Sequence, residues 1–165
     1  MSDSNMRIHQ APWGKALSVL SSLLMVLCVV NVAVFRALLP EEPRATGLLA
    51  QWALPMIVLA CLPFMIRSYA ITDDTILIRR LFWTTRLERS GMKSAEFLPN
   101  AMSKSLRTCG NGGAFSFTGW YWNKSLGFYR AFVTDLNRTV VLRFAKRTVV
   151  VSPIDPEEFV SDLNA

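Results

Sequence analysis

This 165-residue chain contains basic side chains and glycines that could together bind an anion. Gly110-Asn-Gly-Gly113 is flanked by Lys104, Arg107 and Lys124, and a glycine-rich turn can point several backbone N–H groups at one anion. The stretch lacks the Gly-Lys-Ser/Thr ending of a phosphate-binding loop. A plain turn between strands is therefore the favoured interpretation, and an anion site is the alternative.

Two further groups of residues could recognise a surface. Arg79 and Arg80 are adjacent on a predicted strand and could contact a phosphate or an anionic lipid surface. Trp120, Tyr121 and Trp122 could rest on a membrane interface or a partner protein, although aromatic residues on strands more often pack across the sheet. The net charge of +6 favours anionic partners. The basic residues are scattered singly, however, so a solvent-exposed basic surface without a specific partner is the alternative interpretation.

Catalytic and metal-binding chemistry finds little support in the sequence. His9 is the only histidine and falls in the polar N-terminal tail, which argues against a Ser-His-Asp or Cys-His site in the β domain. Glu157 and Glu158 fit the first turn of a helix. Cys109 is the one thiol outside the apolar segments. We therefore predict no catalytic residue, no metal site and no cofactor.

Two uncharged stretches of 20 residues, 16–35 and 47–66, are each long enough as helices to cross the roughly 30 Å hydrocarbon core of a bilayer. Pro55 and Pro63 predict kinks in the second helix, and Pro40 and Pro43 predict a short turn between the two. A secretory signal is the alternative for the first stretch, but the apolar run is long and lacks a cleavage site. The predicted segments are a tail (1–15), a first span (16–35), a turn (36–46), a second span (47–66) and a β domain (67–165).

The distribution of basic residues predicts the orientation of this hairpin. Six flank the outer ends of the two spans and two lie in the turn, so the excess predicts that both termini are cytoplasmic. The six are Arg7, Lys15, Arg67, Arg79, Arg80 and Arg86, and the two are Arg36 and Arg44.

The remainder of the chain predicts strands followed by one helix. Apolar residues alternate on both sides of Asp73-Asp74, which predicts a β-hairpin, and similar alternation up to Val151 predicts about seven strands in all. Asp155 as a cap, Pro156 at the first helical position and Glu158 three residues after the cap predict a helix start. The predicted fold class is α+β, mainly β, behind two transmembrane helices.

Three segments resemble bacterial pleckstrin-homology-like (PH-like) domains: Tyr69-Ala-Ile-Thr-Asp-Asp74, Gly110-Asn-Gly-Gly-Ala-Phe-Ser-Phe-Thr-Gly119 and Ser152-Pro-Ile-Asp-Pro-Glu-Glu-Phe159. The resemblance covers residues 68–163. It implies a bent seven-stranded barrel plugged by a C-terminal helix and often tethered to membrane helices. Lipid-binding relatives carry basic residues in the loop between the first two strands, where this chain has Asp73 and Asp74, so lipid recognition at that loop is not expected.

Together these features predict a membrane-anchored, non-catalytic PH-like binding module at the inner face of a bacterial plasma membrane. Its expected partners are the bilayer itself and either anionic headgroups or another membrane protein, and nucleic acid is not expected. A self-assembling or protein-interaction scaffold, including a homo-oligomer, is the main alternative, and an enzyme is a weaker one. A fragment starting near Arg67 is expected to fold by itself.

Overall fold

The computed structural model describes residues 6–38 and 45–164. A short strand, β1, precedes two long helices, and a 3-10 turn leads from the second helix into the β domain. The bounds are β1 Arg7–Gln10, α1 Lys15–Leu38, α2 Ala45–Cys61 and the 3-10 turn Leu62–Phe64. The predicted turn centred on Pro40 and Pro43 lies outside the described residues.

Both helices are long and apolar enough to be candidate membrane spans. Their outer faces leave large apolar side chains uncovered, among them Leu23, Val26 and Val29 on α1 and Leu49 and Ile57 on α2. Such a surface is unfavourable in water and suits lipid. Pro55 lies inside α2, whereas Pro63 falls in the 3-10 turn, so the second helix ends before the predicted boundary and Ile66 already belongs to a strand.

Between residues 66 and 164 the structure describes nine strands and a closing helix. They are β2 Ile66–Ile71, β3 Thr75–Arg80, β4 Thr84–Glu88, β5 Met92–Phe97, β6 Leu106–Gly112, β7 Phe117–Asn123, β8 Gly127–Val133, β9 Val140–Phe144, β10 Thr148–Val151 and α3 Pro156–Asn164. The predicted hairpin around Asp73-Asp74 is β2–β3, and the predicted cap is present, because Asp155 Oδ1 accepts a hydrogen bond from the Glu158 N–H at 3.1 Å.

The strands form two sheets, which corrects the expectation of one seven-stranded barrel. One sheet has the order β1-β2-β3-β4 and the other β5-β9-β10-β8-β7-β6, and within the described chain neither closes on itself. Among the strands that the structure describes, β8 and β10 pair in parallel and the other pairs are antiparallel. The described strands number ten with β1, against about seven predicted; two of the additions are β1, which comes from the N-terminal tail, and β6, which includes most of the glycine-rich segment expected as a turn.

The core lies between the sheets and under α3. Tyr69, Ile78, Phe132 and Phe159 are among its fully buried members. The Tyr69 hydroxyl donates to the Phe132 carbonyl at 2.7 Å and accepts from the Ser152 N–H at 3.2 Å, so this buried polar group is satisfied. Desolvation by burial raises the pKa of Tyr69 to about 12, although its hydrogen bonds to Ser152 offset part of that rise.

The first turns of α1 pack against the β domain. Leu17 is fully buried in the cluster formed by Tyr121, Tyr129 and their neighbours. The Ser21 hydroxyl donates to the Gly113 carbonyl at 3.3 Å and accepts from the Phe115 N–H at 3.2 Å. The sequence does not reveal this docking, because leucine and serine in an apolar helix suit lipid and protein neighbours equally.

Candidate functional site

The most unusual side chain of the domain is Arg80, the last residue of β3. Successive strand residues face opposite sides, so Arg80 follows Ile76 and Ile78 onto the buried face of the sheet. The side chain is 7% exposed. Its guanidinium carbon lies 5.1, 5.4 and 5.7 Å from the ring centroids of Phe132, Trp83 and Phe64. The sequence thus places a permanent cation where a third apolar side chain would be expected.

Arg80 is buried without a compensating anion. Among the described residues no carboxylate pairs with it, and its Nε has no hydrogen-bond partner. Burying a charge costs several kcal/mol, and each of the three cation–π contacts returns about 0.5–2 kcal/mol, so the rings offset much of the cost but supply neither an opposite charge nor a hydrogen-bond acceptor for Nε. Desolvation, followed by the charge of Arg130, lowers the pKa of Arg80. A buried cation repelled by a second cation is a site that an anion would stabilise.

Arg130 supplies the second cation from the middle of β8. Its guanidinium carbon lies 5.0 Å from the Phe132 centroid and 5.9 Å from that of Trp120, its partner across the β7–β8 pair. Arg80 and Arg130 therefore share the Phe132 ring, and within residues 6–38 and 45–164 neither forms an ion pair. Sequence analysis missed Arg130, although one charge inside the apolar run of residues 127–133 was a usable signal.

A cavity of about 320 Å³ lies against both arginines, and we call it the arginine cavity. Its size is at the low end of ligand pockets, which span about 300–1,000 Å³. The residues that line it include aromatic, polar and cationic side chains. The lining is formed by Cys61, Phe64, Arg80, Cys109, Gly110, Asn111, Thr118, Gly119, Trp120 and Arg130.

Two paired glycines line one side of the arginine cavity. Gly110 on β6 and Gly119 on β7 face each other with φ of 117° and 140°, which L side chains rarely adopt. A Cβ at Gly110 would collide with the Thr118 carbonyl, and one at Gly119 with the Cys109 carbonyl. The close approach of the two backbones therefore requires glycine at both positions and leaves no side chain there to fill the cavity.

A second depression of about 510 Å³ adjoins Arg80 at the turn between β3 and β4. Arg67 and Arg79 line it together with Phe82 and Trp83. Phe82 is 74% exposed, and Trp83 contacts Phe64 edge to face with the ring centroids 5.3 Å apart. Basic and aromatic side chains thus form a rim, residues 79–83 with Phe64 and Arg67, at the end of α2.

The other residues singled out from the sequence do not join this site. Lys104 and Lys124 are exposed in loops, and Arg107 lines a separate cavity of about 260 Å³ beside Tyr121. Of the three consecutive aromatic residues, Trp120 is exposed and borders the arginine cavity, whereas Tyr121 is buried and stacks on Tyr129. Trp122 is partly buried on the same strand, β7.

His9 corrects the description of the N-terminus as a polar tail. The residue is 6% exposed, on strand β1, and its Nε2 lies 3.0 Å from Asp162 Oδ2 on α3. Its ring contacts Phe159 edge to face, and Arg7 also pairs with Asp162. These contacts tie β1 to α3. Among the described residues no cluster of His, Cys, Asp and Glu could hold a metal ion.

The family comparison decides how this architecture is classified. The model of the family described as Bacterial PH domain matches residues 67–165. The chain belongs to the bacterial PH domain family. Its PH domain is thus of a kind that generally serves as a non-catalytic binding module for lipids or proteins. No curated protein and no solved structure matched the chain. The matched segment begins after β1 and α1, which the structure nevertheless joins to the domain.

Proposed function

We propose that this protein is a membrane-anchored, non-catalytic binding module whose PH domain is held against the inner face of the bacterial plasma membrane. The observation that carries the proposal is the junction between the candidate spans and the domain. The Ser116 hydroxyl donates to the Phe64 carbonyl at 3.0 Å, and Ile66 already pairs with Arg80 in the sheet. With no flexible linker between α2 and the sheet, membrane insertion of α2 fixes the domain at the lipid boundary.

The side chains near this junction suit an interface with lipid. Trp13 precedes α1 and Phe64 follows α2, and both are exposed aromatic residues at the domain ends of the two helices. Aromatic residues are enriched at membrane–water interfaces, and each basic side chain close to an anionic leaflet contributes about 1 kcal/mol. Arg67 and Phe82 at the rim therefore support contact of this face with headgroups.

Anchoring and orientation can be tested separately. The protein should remain in the membrane pellet after carbonate extraction, and release of the intact chain would refute anchoring. A membrane-impermeant maleimide should label Cys109 in lysed but not in intact cells, because the thiol is exposed on the domain. Cys109→Ser is the matched control. Glu42→Cys in that background should be labelled in intact cells, and the reverse pattern would refute the cytoplasmic orientation.

A protein-interaction scaffold remains the second candidate, and one observation favours it. Strand β6 is the outer strand of its sheet, and its side chains from Leu106 to Gly110 are exposed. An open strand edge can accept a strand from a partner or from a second copy. Crosslinking in native membranes followed by sizing should give a monomer if the edge is unused, and discrete oligomers would favour the scaffold.

A further inference from the structure

We propose that the arginine cavity binds the phosphate group of an anionic phospholipid, with Arg80 and Arg130 as its two cationic contacts. This inference rests on the proposed function, because the lipid source depends on the domain lying at the membrane. The recognised chemistry is a phosphate oxyanion. The site lies at the end of β3 opposite the Asp73-Asp74 turn, so it is distinct from the β2–β3 loop, where lipid-binding relatives carry basic residues.

The first argument is the charge of the cavity. Arg80 is 7% exposed, has an unpartnered Nε and shares the Phe132 ring with a second guanidinium, and in the part of the chain that the structure describes no acid balances either charge. Arginine is weakly hydrated and presents a planar fork of donors that matches phosphate oxygens. An anion between the two would remove their repulsion and give the guanidinium groups that line the cavity a charged acceptor. A cationic or apolar ligand would do neither.

The second argument is the remaining lining. Trp120 and Phe64 add aromatic surface, while the polar side chains of Asn111 and Thr118 in the lining already bond to Ala114 and Ser116, which leaves the two arginines as the charged contacts. Gly110 and Gly119 line the cavity with backbone alone. A fully hydrated anion would not need the aromatic wall, whereas a phosphate attached to an apolar body uses both kinds of surface.

The third argument is position. Cys61, the last residue of α2, and Phe64, in the turn after it, are both part of the lining. If α2 spans the membrane, this side of the cavity meets the region where lipid phosphates lie. A phosphate group could then enter from the headgroup layer without its acyl chains leaving the bilayer. This geometry favours a lipid over a soluble phosphate compound.

The test uses the full-length protein in a neutral detergent. The probes are dihexanoyl phosphatidic acid, dihexanoyl phosphatidylcholine and inorganic phosphate, followed by tryptophan fluorescence, since Trp83 and Trp120 each contact one of the two arginines. We expect phosphatidic acid to bind and to raise the thermal midpoint. Arg80→Gln and Arg130→Gln should each weaken its binding at least about tenfold, the loss expected of a charged hydrogen bond. Arg86→Gln, the matched control on an exposed position of β4, should change it less than about twofold.

Each contrary result overturns a defined part of the inference. The assignment of the site would be wrong if both cavity variants bound phosphatidic acid as tightly as the wild type. It would also be wrong if Arg86→Gln weakened that binding as much as they do. Equal binding of inorganic phosphate would overturn the lipid source. Equal binding of phosphatidylcholine, whose phosphate is balanced by its choline cation, would overturn the preference for an anionic lipid. If Arg80→Gln does not melt cooperatively, the half-buried Arg130 carries the test. If the protein stays in the membrane after carbonate extraction but the arginine variants bind phosphatidic acid normally, only this inference is refuted. If carbonate releases the protein but binding still depends on the arginines, only the membrane anchoring is refuted.

Discussion

Leu17 provides the sharpest test of how α1 is used. By sequence it is one of many leucines in an apolar helix, yet its side chain is fully buried against the β domain, whereas Leu23 on the same helix is 61% exposed. Truncating a fully buried leucine to alanine costs about 3–4 kcal/mol, through lost burial and the cavity left behind. For a chain of this length that loss lowers the melting temperature by roughly 10 °C.

The measurement compares Leu17→Ala with Leu23→Ala in detergent-solubilised full-length protein. Both variants make the same change in helix propensity, so the difference between them isolates the docking of α1 on the domain. We expect Leu23→Ala to cost less than about 1 kcal/mol. Near-ultraviolet circular dichroism during heating reports the tertiary packing around the tryptophans. Equal melting temperatures for the two variants would refute the docking of the first turns of α1.

Three further predictions follow from single contacts. Arg80→Met should leave the unliganded protein as stable as the wild type or raise its melting temperature by a few degrees. The reason is that it removes a buried charge without a paired anion while keeping an apolar side chain. A clearly lower melting temperature would show that the three ring contacts outweigh the cost of desolvation. Tyr69, whose pKa of about 12 exceeds its ordinary 10.0, should contribute stability that is complete below pH 10 and lost as the pH rises toward 12. In a base titration of the melting temperature, Tyr69→Phe should therefore show a shallower decline, and an identical decline would contradict the buried hydroxyl. Gly119→Ala should destabilise the protein by about 1–3 kcal/mol through its positive φ and the clash with the Cys109 carbonyl. Gly91→Ala, also at positive φ but with open space around it, is its control, and equal effects would show that the clash adds nothing.

The structure also changes which fragment is expected to fold. A chain starting at Arg67 matches the family segment but lacks β1, which pairs with β2 over four residues, and it lacks Leu17 from the core. It also loses the contact of His9 with Asp162. We therefore expect the isolated segment to be less stable than the full-length protein and to expose the edge of β2, contrary to the expectation from sequence.

Several features were predictable because they depend on local pattern. The two apolar stretches, the hairpin around Asp73-Asp74 and the cap at Asp155 follow from composition, from alternation and from residues three positions apart. The mainly β class and the family followed from the same residues. In each case the atoms that interact are close together in the chain, so the sequence itself displays the interaction.

The division into two sheets, the pairing of the N-terminal β1 with β2 and the burial of Leu17 depended instead on contacts between distant segments. The same holds for the arginine cavity, since Arg80 and Arg130 are on different strands and come together only around the Phe132 ring. A strand pattern shows which side chains share a face, but not which strands become neighbours. Which strands become neighbours depends on the packing of the whole core. That packing brings Arg80 and Arg130 together and so creates the candidate site.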